Sequence, residues 1–212
     1  MKELANLPNR VAVMMSGGLD SSVLVAALLK EGKDVTPICF DDKSYMQDKA
    51  LIAIKSTLHY YKLQSKIVKI RMYAPERIKV TDNYGYVPGW KVAMQILAMA
   101  HCEHLRIDTL LTGYISDNAE YKDEEDASIE KVYNVYNDIY STNIKVLSPF
   151  RHMTKVQIVN LAIELDFPTA LAYSCGEDYS PPMVHCGRCE WCRRRKAAFA
   201  EVNQKDEAFF WE

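Results

Sequence analysis

From Arg10 to Met15 the chain reads RVAVMM, a short apolar run, and after the polar turn SGGLDSS the stretch VLVAALLKEG carries apolar residues at helical spacing until Gly32. That order predicts a strand, a turn and a helix. The alternation then repeats. DVTPICF reads as a second strand, although Pro37 has no N–H to donate to a ladder, and ALIAIKSTLHYYKL and KIVKI read as a helix and a third strand. A stretch containing Pro75, Gly85 and Pro88 predicts a loop, residues 91–105 a helix, and DTLLTG a fourth strand ending at Gly113. Residues 114–126 have no usable period and sit past that strand's carboxyl end, where open α/β sheets form their ligand crevice. A tyrosine-studded helix over 129–140 and the strand IKVLSPF follow. Thr154 with Gln157 three residues on is a capping box announcing a last helix that ends before Pro168.

Strands that alternate with helices imply an α/β fold: an open, parallel, five-stranded sheet with helices on both faces. Residues 1–168 are assigned to this domain and residues 169–212 to a cysteine-rich C-terminal appendage packed on it. The length of 212 residues suits one such unit and leaves no room for two full cores. Hydrophobic residues at 49% and charged residues at 25% describe a packed globular chain rather than a disordered one. A formal charge of -2 excludes a protein that coats nucleic acid by bulk electrostatics, so direct nucleic-acid binding is not expected. No apolar run approaches the roughly 20 residues of a membrane span, and MKELANLPNR lacks the apolar core of a signal peptide. A cytoplasmic location is expected.

Ser16-Gly17-Gly18-Leu19-Asp20-Ser21 lies between a predicted strand and a predicted helix. There glycines let the backbone approach a ligand closely, and the new helix offers unpaired donors and a positive dipole end. Such a turn holds an anion. Ser16, Ser21 and Ser22 add hydroxyls, while Asp20 would repel a phosphate unless a divalent cation sat between them, which makes it a candidate magnesium partner. Neither the Walker A lysine spacing nor the dinucleotide pattern GxGxxG is present. SGGxDS after a first strand resembles the pyrophosphate-binding motif of the N-type ATP pyrophosphatases, and the resemblance implies their adenine nucleotide alpha hydrolase-like fold. Those enzymes adenylate a substrate oxygen and release pyrophosphate.

Four of the six cysteines, Cys175, Cys186, Cys189 and Cys192, crowd near the C-terminus as a CxxCxxC run with one upstream partner. In a reducing compartment this reads as metal ligation rather than disulfides. Four thiolates suit a closed tetrahedral zinc site, and the same spacing suits an iron-sulfur cluster. Spacing does not decide between them. Arg188, Arg193, Arg194, Arg195 and Lys196 offset the negative charge of a metal-thiolate centre, with a nucleic-acid patch as the sharper alternative. Cys39 and Cys102 read as core.

Taken together, SGGLDSS, Tyr86-Val87-Pro88-Gly89, Gly113, Thr154-Lys155 and CGRCEWCRRRKAAFAE resemble, in order and along most of the chain, the 7-cyano-7-deazaguanine synthase family. The resemblance implies zinc at the four cysteines and a homodimer. It also implies a reaction in which ATP, with magnesium, activates the carboxylate of 7-carboxy-7-deazaguanine, ammonia forms an amide, and dehydration gives a nitrile. Met15, Ser16, Gly17, Gly18, Leu19, Asp20, Ser21 and Ser22 would cradle the nucleotide, with Ser16, Asp20, Ser21 and Lys155 the residues closest to the chemistry. A guanine-like base offers an amine and a ring N–H that one carboxylate accepts together; Asp123 is the first candidate, ahead of Asp117, Glu120 and Asp126, with Tyr86 or Trp90 to stack and Lys91 to supply charge. The family's VPGRN is VPGWK here, its guanine-recognition stretch G-Y-P-D is echoed only by Tyr121-Lys122-Asp123, and its Y-G-Q-x-H after strand two is absent at residues 41–45. The alternatives are another enzyme of the superfamily, such as a tRNA thiolase, and a nucleotide-binding module without turnover.

Overall fold

The computed structural model describes residues 2–41, 47–71, 89–118, 122–176 and 181–210. Five strands build the main sheet: β1 (Arg10–Met14), β2 (Asp34–Asp41), β3 (Val68–Arg71), β4 (Thr109–Leu111) and β5 (Lys145–Leu147). They run in the order β3-β2-β1-β4-β5, and every pairing is parallel. The helices are α1 (Lys2–Ala5), α2 (Leu19–Lys30), α3 (Gln47–Tyr60), α4 (Trp90–Leu105), α5 (Asp126–Tyr140), α6 (Lys155–Glu164) and α7 (Glu190–Glu201). A second, two-stranded parallel sheet joins β6 (Val184–His185) to β7 (Phe209–Phe210).

Successive residues of β1 bury opposite faces, as the period of a strand requires. Val11 and Val13 pack with Leu24 and Leu28 of α2, Ile54 of α3, Ile158 of α6 and Phe199 of α7. Ala12 packs on the other side with Met99 of α4 and Ile129 and Tyr136 of α5. The sheet is therefore covered on both faces, as the near-continuous apolar runs of its strands imply. α2 is buried along most of its length, residues 21–28 in succession, which is why its sequence shows so little polar interruption.

Pro37 stands in an interior strand without breaking a ladder. Asp34 N–H donates to Asn9 O and Met15 N–H to Ile38 O, so the even-numbered residues of β2 are those bonded to β1. Pro37 has the opposite parity, and the pairing of β2 with β3 begins only at Ile38. The missing donor thus falls where no strand partner stands. The capping box of α6 forms as the sequence predicts: Thr154 N–H donates to Gln157 Oε1 at 2.8 Å and Gln157 N–H to Thr154 Oγ1 at 3.3 Å.

The chain leaves β1 toward β2 and β3 on one side, and later returns to place β4 on the other side of β1. That reversal opens a crevice at the carboxyl ends of β1 and β4, the usual ligand position of open α/β sheets. The SGGLDSS turn follows β1 and therefore lies in it.

Candidate active site and metal centre

The turn after β1 is held by its own serines. Ser21 Oγ accepts from Ser16 N–H at 3.2 Å, lies 3.1 Å from Ser16 Oγ and donates to Gly18 O at 3.3 Å, while Ser16 Oγ accepts from Gly18 N–H at 3.4 Å. Gly17 adopts φ +79°, and a Cβ there would stand 2.7 Å from Ala50 O of α3. Both the backbone angle and the neighbouring helix demand glycine. Gly113, just past β4, is required by a different contact: its Cβ would lie 2.9 Å from the Ser21 backbone. The strand end thus presses directly on the first turn of α2, whose leading N–H groups have no acceptor within the helix.

Asp20 and Lys155 meet across the crevice. Lys155 Nζ donates to both carboxylate oxygens, at 2.5 and 2.7 Å, with each side chain less than one-fifth exposed. Lys155 is the first residue of α6, and its N–H donates to Asp117 Oδ2 at 2.8 Å. Asp117, one of the residues considered for base recognition, here caps a helix. Ser116 Oγ ties the same loop to Met153 O at 2.8 Å. A cavity of about 160 Å3 opens at this junction, lined by Gly18, Leu19 and Asp20, by Asp117 and Lys155, and by Ser174, Trp191, Arg194 and Arg195.

The remaining expected nucleotide residues divide by burial. Met15 and Leu19 are core side chains, and Ser22 is fully buried with an Oγ that has no hydrogen-bond partner among the described residues. Lys91 is half-buried in the first turn of α4, next to Trp90, which packs against the second core cluster. Asp123 occupies a short 3-10 turn over Lys122–Glu124 that packs against α4 and α5. Both of its carboxylate oxygens are buried, and neither has a hydrogen-bond partner among the described residues. Tyr86 and Glu120 lie outside the described residues. Asp126 is exposed at the start of α5, 3.7 Å from Arg151 Nε.

Cys175, Cys186, Cys189 and Cys192 converge, their sulfurs all within 4.8 Å of one another. Tetrahedral bonds of about 2.3 Å to one central ion would place sulfurs roughly 3.8 Å apart. Backbone N–H groups point at them: Gly176 and Cys192 donate to Cys189 Sγ, Cys186 donates to Cys175 Sγ, and Cys189 donates to Cys186 Sγ, at 3.3 to 3.5 Å. Such donors favour thiolates. Hydrogen bonding with the Cys175 sulfur, the largest cause, raises the pKa of both Cys189 and Cys192, so their setting without a cation opposes the ionisation of these two thiols. A divalent cation is the group that reverses this balance, and the donor set fits one. Cys39 and Cys102 are fully buried core residues, and burial pushes their thiols up to about 11 and about 12.

The basic run beside the cysteines does not form one patch. Arg195 is 1% exposed and donates to both oxygens of Asp206, at 2.6 and 2.8 Å, and to the carbonyls of Ala172 and Thr169, both at 2.8 Å. It ties the C-terminal segment to the loop ahead of Cys175. Lys196 lies over the Phe210 ring, and Arg194 turns to the cavity. The sequence assigned all of these to charge compensation at the metal. Nothing in the linear pattern shows that α7 folds back beside the serine-glycine turn and brings Trp191 and Arg194 with it.

Two segments are joined by one further bond: Tyr173 N–H donates to Gly17 O at 2.9 Å, two residues ahead of Cys175. Tyr173 is buried in the same small cluster as Cys175, Cys186 and Cys192.

The chain matches the family described as queuosine biosynthesis protein QueC over residues 10–203. It is 30% identical over 219 aligned positions to the 7-cyano-7-deazaguanine synthase of Picrophilus torridus, covering 93% of this chain and 90% of that relative. The relative of the same name from Acetivibrio thermocellus is 28% identical, over 96% of this chain and 98% of its own length. Among solved structures, the U34-tRNA thiolase NcsA from Methanococcus maripaludis with its 4Fe-4S cluster aligns with a TM-score of 0.51 at 15% identity, covering 95% of this chain and 67% of that one. A 4-thiouridine synthetase solved with RNA and ATP aligns at 0.52 and 19% identity, over 74% of this chain and 40% of that one. At these identities the two structures share the fold and no more. The match along nearly the whole chain, with relatives of similar length, makes this protein a member of the QueC family.

Proposed function

We propose that the protein converts 7-carboxy-7-deazaguanine and ammonia to 7-cyano-7-deazaguanine with ATP. The observation that carries the chemistry is the serine-glycine turn at the head of α2, facing Lys155 and Asp20 in the crevice between β1 and β4. A carboxylate resists attack by ammonia because its oxygen leaves badly, and transfer of AMP onto it supplies a good leaving group. The amide that results is activated again and loses water to give the nitrile. The turn acts by holding and aligning the departing pyrophosphate through backbone donors, the Ser16 and Ser21 hydroxyls and Lys155, not by covalent catalysis. Asp20 would hold magnesium, which when bound would supply positive charge to offset the negative charge of the phosphates. On that reading Asp20 exchanges its Lys155 partner for the metal when nucleotide binds, and Lys155 turns to phosphate.

Asp123 is assigned to the base. A buried carboxylate with neither oxygen bonded is costly unless a ligand supplies donors, and a guanine edge supplies two side by side. Lys91, in the first turn of α4, supplies positive charge near the substrate. The four cysteines hold structural zinc. Sulfurs within 4.8 Å support a single ion, since a cubane would interpose iron and sulfide between them and hold them further apart. No helix among the described residues is long and apolar enough to cross a membrane. A homodimer would cover Val135, Ile139 and Tyr140 of α5, all more than half exposed.

The test is incubation with ATP, magnesium, ammonia and 7-carboxy-7-deazaguanine, followed by mass spectrometry and metal analysis. The nitrile, AMP and one zinc per chain are expected. An amide that never dehydrates would mean a shortened reaction. A brown, iron-containing protein that adenylates only tRNA would replace the assignment with a thiolase.

A further inference from the structure

Three helices begin around the cavity beside the phosphate turn: α2 at Leu19, α6 at Lys155 and α7 at Glu190. The third comes from the metal-bearing segment. Its side chain Arg194 reaches the cavity, where Nη1 donates to Asp117 O at 2.9 Å and Nη2 meets Glu190 Oε1 at 2.5 Å. The guanidinium lies over the Trp191 ring, its Cζ 5.4 Å from the centroid. Trp191 is itself pinned, since a Cβ on Gly176 would stand only 2.7 Å from its Cδ1. Thus Asp117 fixes Arg194 from one side and a wedged indole from the other, and Asp117 also bonds the backbone of Lys155. Lysine and arginine are therefore tied to the same aspartate, and both line one cavity.

We infer that Arg194 is a positioning residue for the pyrophosphate end of ATP, working opposite Lys155. This rests on the phosphate-site reading above. Its Glu190 partner is half exposed, and an exposed i,i+4 pair is worth a few tenths of a kcal/mol, so a phosphate displaces it readily. Arginine presents a planar fork that takes two phosphate oxygens at once, which a mobile lysine does not. The breaking bond lies between the α-phosphorus and the bridging oxygen, and the negative charge gathers on the leaving pyrophosphate. A fixed cation aimed there favours departure. Lys155, first engaged with Asp20, then need not carry that charge alone.

Calorimetric titration of inorganic pyrophosphate and of AMP, each with magnesium, tests this on the zinc-loaded chain. Arg194→Gln is expected to weaken pyrophosphate at least tenfold, the loss of a charge-assisted bond, and to leave AMP within about twofold. Glu190→Gln removes the carboxylate that competes for the guanidinium and is expected to tighten pyrophosphate about twofold. Equal pyrophosphate affinity in Arg194→Gln, or an equal loss for AMP, overturns the assignment. If that variant does not fold, unchanged or weaker binding by Glu190→Gln overturns it instead. Failure of the unmodified protein to bind pyrophosphate overturns the phosphate-site reading together with it.

Discussion

Asp123 shows what a residue can reveal that a sequence cannot. The acidic stretch over 114–126 offers several carboxylates, and pattern alone cannot rank them. Folding separates them: Asp117 caps α6, Asp126 stays exposed at the start of α5, and Asp123 turns inward with both oxygens unbonded among the described residues. Such a group is destabilising in the free protein and useful only when filled. Asp123→Asn is therefore expected to raise stability by about 1 kcal/mol, because the amide removes a buried charge. The same change should raise the KM for the deazaguanine substrate by tenfold or more while leaving that for ATP unchanged. Thermal melts and steady-state kinetics check both arms, and a destabilised variant with normal KM would make Asp123 a structural residue. Lys155 was legible for another reason: its neighbour Thr154 announces a helix start, and a basic residue there stands over the crevice whatever the details of packing.

At the scale of elements, the strand-helix alternation was legible because a parallel sheet buried on both faces leaves continuous apolar runs, and these are hard to mistake. The short elements were not. β6 and β7 have two residues each, too few for any period, and they pair across a sequence gap. α7 carries a run of charge where a buried helix is least expected, and only the bonds of Arg195 to Asp206 and two carbonyls show how that charge is absorbed. The contact of β4 with α2 was also hidden, since Gly113 reads from sequence as a strand stop and in the structure is the place where Ser21 approaches. Gly113→Ala must push the first turn of α2 away from the crevice. It is expected to cost about 1–3 kcal/mol and to weaken ATP binding along with stability. Gly32→Ala offers the contrast, for Gly32 has φ +72° but nothing within 4 Å of a new Cβ. It should lose about 1 kcal/mol from backbone strain and keep its ATP affinity. Parallel denaturation curves and nucleotide titrations separate the two, and equal ATP affinities would mean the β4–α2 contact does not shape the site.

For the molecule as a whole, the serine-glycine turn and the four-cysteine cluster are joined directly. Tyr173 N–H holds Gly17 O, Tyr173 packs among the clustered cysteines, and the first turn and a half of α7 carries both Cys192 and, two residues on, the cavity-lining Arg194. Without a cation the four sulfurs have nothing to bind them together, so the segment that anchors Gly17 would lose its fixed point. The consequence is a coupling free energy, and coupling is reciprocal. If zinc tightens ATP by some factor, ATP tightens zinc by the same factor. Titration of the zinc-loaded protein with a competing chelator, with and without a non-hydrolysable ATP analogue, measures that factor from the metal side. Nucleotide binding to metal-free protein measures it from the other. We expect about tenfold in each direction, toward the lower end of the usual 1–3 kcal/mol range. Replacing Tyr173 with Ala leaves the backbone bond in place but removes the ring from the cysteine cluster, and should shrink the factor while both ligands still bind. A chelation midpoint that does not move when the analogue is added would show that the cysteines support the fold without reaching the turn.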